Sequence, residues 1–95
     1  MECNIDCTAD VLKAIAHPTR LKLLCALNSR ELSVQTLVEE TGTTQSNISQ
    51  HLSVLKERGI VTSRRDTTRI YYRIRDKELL QLITLMRDIY CNKAA

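Results

Sequence analysis

Nothing in these 95 residues is apolar for long enough to span a bilayer and no signal peptide opens them, so the expected location is the cytoplasm. Repeats, low-complexity tracts and linkers are missing too. That leaves one domain with a modest core, small enough for burial against a second subunit to add to its stability. Histidines number two and prolines one. The four cysteines, Cys3, Cys7, Cys25 and Cys91, do not read as a disulfide framework, because a reducing compartment would not keep one; metal binding or redox sensing is the better question.

The most telling absence is of charge. From Thr44 to Leu55 there is no Lys, Arg, Asp or Glu, although solvated helix faces are ordinarily rich in them. With Ile48 as origin at 100° per residue, Leu52 and Leu55 fall within about 40° of it. Ser46, Asn47, Gln50 and Ser53 project from the opposite half. Amides and hydroxyls read base edges in a major groove, and a helix fits there. Beside this stretch, residues 56 to 77 hold eight Lys/Arg against three Asp/Glu, an excess of +5, while the whole chain carries +3. A basic block next to a polar helix suits a phosphate backbone.

Residues 1–7 read as a tail and 8–92 as the folded domain. Thr8 is the expected cap of a first helix carrying Val11, Leu12 and Ile15. His17-Pro18 interrupts it, because Pro disfavours helix in the residue before it and fits position N1 of the next. Leu21, Leu24, Cys25 and Leu27 or Asn28 mark the buried side of the second helix. Ser33 caps a short third helix ending at Gly42, and Thr44 caps a fourth. Two short helices joined by Thr41-Gly42-Thr43 match helix-turn-helix spacing, with the fourth helix as reader. After Gly59 the period changes to two. Ile60 to Arg65 pairs with Arg69 to Arg75 across Asp66-Thr67-Thr68, giving a hairpin with a basic tip. Asp76 then caps a last helix with Leu79, Leu82 or Ile83, Met86 and Tyr90 at helical spacing, widened by Leu80, Leu85 and Ile89. So wide an apolar surface on so small a domain implies a homodimer through this helix and the first one. The fold class is mainly α with a β-hairpin wing: a winged helix-turn-helix.

His17-Pro18-Thr19-Arg20-Leu21, Glu31-Leu32-Ser33-Val34, Gln45-Ser46 through Ser49-Gln50-His51-Leu52, Gly59-Ile60-Val61 and Tyr71-Tyr72-Arg73 together resemble the ArsR/SmtB family of dimeric winged-helix repressors over nearly the whole chain. The resemblance implies double-stranded operator DNA as partner, bound without inducer and released with it. It also implies that Gln45, Ser46, Ser49 and Gln50, with Asn47 on the same helix, meet bases or nearby phosphates. Arg64, Arg65 and Arg69 would belong to the wing on the backbone. No cofactor and no enzymatic activity are expected.

Metal sensors that the chain resembles carry thiols where Ser33 and Gln35 stand, and neither replaces a thiolate for a soft ion. The last-helix zinc site of other members needs Asp-x-His and His-x-x-Glu, where this chain has Asp76, Glu78, Ile89 and Asn92. His17 and His51 read as structural or DNA-facing. The contexts of Cys25 and Cys91, 66 positions apart, are similar to the persulfide-sensing SqrR/BigR/HlyU-like branch, whose two cysteines at these places are joined by a polysulfide bridge. By that resemblance Cys25 and Cys91 are the sensor and reactive sulfur species the inducer. Alone, Cys25 would read as a small buried hydrophobe. Cys3 and Cys7, spaced i, i+4, support the alternative of a metal- or metalloid-responsive repressor. A thiol redox enzyme built on the same pair is weaker, having no strand–turn–helix context. A purely architectural DNA-binding role leaves Cys25 and Cys91 unexplained.

Overall fold

Asn4, and not Thr8, starts the first helix of the computed structural model, which describes residues 4–90. The Asn4 side chain accepts from the Cys7 N–H at 2.9 Å, while the Thr8 hydroxyl donates back to the Asn4 carbonyl at 2.9 Å. Asn is as good a cap as Ser or Thr, so α1 runs Ile5–Ile15 and takes in part of the expected tail. Cys3 and Cys91 lie outside the described residues.

Pro18 opens α2 (Pro18–Leu27) as expected, with His17 as its cap. Leu23, Leu24 and Leu27 are fully buried, whereas Leu21 and Cys25 are half-buried. The single stripe read from the sequence omitted Leu23, because α2 is central: α1, α3, α4 and α5 all pack on it, so it buries more than one side. Ser33 caps α3 (Val34–Thr41) through the Thr36 N–H at 3.2 Å, and Gly42 closes it in the left-handed region at φ 74°. That conformation costs glycine nothing. Thr44 then caps α4 (Gln45–Glu57), accepting from the Asn47 N–H at 3.2 Å.

A short strand β1 (Leu32–Ser33), absent from the sequence reading, pairs antiparallel with β3 (Arg69–Ile74), which pairs with β2 (Val61–Asp66) in the order β1-β3-β2. The hairpin turn is tighter than expected. Asp66 pairs with Arg69, so only Thr67 and Thr68 form the loop, and Thr67 takes φ 56° without a glycine to make it easy. Burial fades along the hairpin: Ile74 and Val61 at its base are buried, Tyr72 is half-buried, and Ile70 near the tip is exposed. The wing therefore projects from the core instead of lying on it.

Leu37, Ile48, Leu52, Leu55 and Ile60 complete the core with the α2 leucines, Ala14, Ile15, Val61, Ile74 and Ile83. Each fully buried leucine contributes roughly 1.5–3 kcal/mol over an exposed one. On α5 (Lys77–Tyr90), Ile83 is 3% exposed and belongs to this core, so it is not a residue of a dimer seam. Met86 also packs against the core. The free apolar face is carried by Leu82, Leu85, Ile89 and Tyr90, with Ile5 and Leu12 exposed on α1. Cys7 and Val11 of α1 and Leu79 and Leu82 of α5 line one groove of about 510 Å³.

Candidate DNA interface

The first turns of α4 present what the sequence pattern asked for. Gln45, Ser46, Ser49, Gln50 and Ser53 are exposed, while Ile48, Leu52 and Leu55 on the opposite side are wholly buried. The helix is fixed by its apolar side and offers only neutral hydrogen-bonding groups on the other. Asn47 differs from its neighbours. It is half-buried, and its Nδ2 donates to Thr43 Oγ1 at 2.9 Å, so it holds the turn between α3 and α4.

A second anchor comes from the α1–α2 junction. His17 Nδ1 accepts from the Thr19 N–H at 3.1 Å, its ring lies 4.6 Å from that of His51, and Arg20 Nε donates to His51 Nδ1 at 3.2 Å. Arg20 also donates to the Ala14 carbonyl at 3.2 Å. The His-Pro-Thr-Arg stretch thus ties α4, through the half-buried His51, to the end of α1, a role for Arg20 that the sequence reading missed. Both histidines are structural in this arrangement. Desolvation first, then the neighbouring His17 and Arg20, hold the His51 pKa below its ordinary value. For a base depressed in the folded state, the unfolded chain binds more protons in the window between the two values, so stability is present above the ordinary histidine range and is lost on acidification. Wild-type protein is expected to lose melting temperature more steeply than His51→Gln between about pH 7 and 5. Parallel curves from differential scanning calorimetry would contradict this.

The wing supplies the cations. Arg65 sits at the tip, its Nε donating to the Thr67 carbonyl at 3.2 Å. Arg69 lines a groove of about 200 Å³ with Gln45, Thr68 and Ile70, bounded on the α3 side by Ser33, Val34 and Gln35. Wing tip and the start of α4 therefore face one cleft. Arg64 is placed differently: its Nε and a terminal nitrogen reach Glu31 Oε1 at 2.8 and 2.7 Å, its other terminal nitrogen lies 3.9 Å from Asp66, and the guanidinium stacks 4.9 Å above the Tyr71 ring. The hydrogen bond from Arg64 is the main cause that holds the Glu31 carboxyl below its usual pKa.

Of the cysteines, Cys7 is exposed on the first turn of α1. Cys25 is half-buried in the last turn of α2, against the core, on a helix that packs on α5. Among the described residues no three His, Cys, Asp or Glu gather in a metal-binding group, so the metal alternative depends on Cys3, outside them. No helix among them is long and apolar enough to cross a membrane.

Residues 17–63 match the family described as "Bacterial regulatory protein, arsR family". The chain is similar to the biofilm growth-associated repressor of Xylella fastidiosa, with 39% identity over 93 residues, covering 98% of this chain and 82% of the relative. In structure it resembles HlyU from Vibrio cholerae, with TM-score 0.88, 36% identity, and 97% and 100% of the two chains covered. It also resembles a homodimeric winged helix-turn-helix DNA-binding domain from Mycobacterium bovis, with TM-score 0.83, 35% identity, and 90% and 79% covered.

Proposed function

Because this chain belongs to the bacterial arsR family and is a winged-helix transcription regulator, not an enzyme, we propose that it is a cytoplasmic, homodimeric repressor that holds operator DNA while its thiols are reduced and releases it when reactive sulfur bridges Cys25 to Cys91. The observation that carries the DNA half of this reading is the uncharged, exposed face of α4, whose Gln45 lines one cleft with Arg69, beside the exposed Arg65 of the wing. Gln45, Ser46, Ser49 and Gln50 read base edges, Asn47 keeps their helix at its angle, and the two tip arginines meet phosphates. Gln50→Ala should relax sequence preference by about 1–3 kcal/mol, whereas Arg65→Ala or Arg69→Ala should weaken all sequences and flatten the salt slope by about one unit. Equal losses on operator and random DNA for every substitution would refute the division of labour.

The sensing half is supported by position. Cys25 stands on α2, α2 packs on α5, and Cys91 follows Tyr90, the last described residue of α5. Attack of a cysteine thiolate on a low-molecular-weight persulfide takes its outer sulfur and frees the donor thiol. Two protein persulfides so formed condense with loss of hydrogen sulfide and leave a sulfur bridge, with no further oxidant needed. A plain disulfide needs Cα atoms within about 7 Å, whereas a longer sulfur chain tolerates a wider gap. Mass spectrometry after separate exposure to glutathione persulfide, peroxide, zinc and arsenite should find an added-sulfur bridge with the first alone. A metal or arsenic adduct lost in Cys3→Ser with Cys7→Ser would favour the metal-responsive alternative.

A further inference from the structure

We propose that Glu31 is a positioning residue for the wing, acting through Arg64, and that Arg64 is a strut of the fold and not a phosphate contact. Ser33 of β1, Tyr71 of β3 and Arg64 of β2 are directly paired neighbours across the sheet, so their side chains share one face. Arg64 reaches from the outermost strand, over the Tyr71 ring, to a carboxylate one residue before β1. The strut therefore spans all three strands. All three of its nitrogens face carboxylates, two on Glu31 and the third toward Asp66, which leaves the group neutralised where a phosphate would need it free.

The wing has need of such a brace. Its outer half projects beyond the core, with Ile70 exposed and Thr67 in a left-handed conformation at the turn. A two-stranded ribbon without a packed face is marginal and twists freely. Glu31 lies between α2 and β1, and β1 runs straight into the Ser33 cap of α3, the first helix of the reading unit. The bridge thus sets the angle of the tip relative to α4, on which simultaneous contact by Gln50 and by Arg65 and Arg69 depends. The inference rests on the reading that the last two meet phosphates.

The sign of one substitution is diagnostic. Glu31→Ala removes a negative charge near DNA, which by charge alone should tighten binding. A strut makes the opposite demand. Glu31→Ala and Arg64→Ala should each bind operator about fivefold more weakly, the upper range for an exposed ion pair. The double variant should be no weaker than either single one, and all three should keep the wild-type salt slope and melting temperature. Tighter binding by Glu31→Ala, additive losses, or a slope flattened in Arg64→Ala by about the 0.9 due to one phosphate contact would overturn the strut alone. If Arg65→Ala and Arg69→Ala leave the slope unchanged as well, the phosphate reading of the wing fails, and the strut's purpose with it.

Discussion

Cys25→Ser and Cys91→Ser should each bind operator as tightly as the reduced wild type and keep that affinity after exposure to glutathione persulfide. The wild type should lose about 5- to 150-fold under the same treatment, the usual span of a coupling between two sites. Inducer response is a difference between two bound states, so a variant that cannot form the bridge has no second state to populate. The two thiols need not react alike. Cys25 is half-buried in the last turn of α2, where the helix dipole opposes a thiolate. Arg87, in the last turn of α5, precedes Cys91 by four positions. Persulfidation is therefore expected first at Cys91, with Cys25→Ser still accumulating a persulfide there and Cys91→Ser reacting slowly. The tail variant Cys3→Ser with Cys7→Ser should respond normally. If it alone loses the response in electrophoretic mobility shifts, the N-terminal thiols are the sensor.

The parts of this molecule legible in its sequence are those where one local rule decides. Ser33, Gly42 and Thr44 are strong caps in an uncrowded stretch, and they frame α3 and α4 where the structure has them. The exposed polar face of α4 was legible for the same reason, its apolar side being unambiguous and its polar side free of charge. What escaped required tertiary information. Asn4 and Thr8 are competing caps, and only the observed helix decides between them. β1 is two residues long, too short for any periodicity, and exists because β3 offers it an edge. Ile83 and Leu82 are adjacent on α5, so periodicity alone leaves open which of them enters the core. The arginines of the wing look equivalent as a run of charge. Glu31, thirty-three positions away, separates Arg64 from the others. Arg20 was passed over because its partner, His51, is on another helix.

The same distinction between Ile83 and its neighbours decides how assembly should be tested. Leu85→Glu is expected to abolish the dimer and, with it, operator binding. Leu85 is 58% exposed in the single subunit and lies among Leu82, Ile89 and Tyr90, so the new charge stays in water when the subunit is alone. In a dimer built on α5 and α1 the same charge would be buried without a partner, at a cost of several kcal/mol. The subunit should therefore fold and run as a monomer in sedimentation. Losing one of two tethered half-site contacts should weaken operator binding by about 10²-fold or more, since the gain from linking two modules disappears. Ile83→Glu should fail in another way, by lowering the melting temperature sharply, because that side chain sits in the core of each subunit. A Leu85→Glu protein that remains dimeric and binds operator normally would move the subunit contact to a different surface. It would also cut the proposed link between sensor and reader, because a bridge from Cys25 to Cys91 would reach the DNA only by altering the spacing of two α4 helices across that seam.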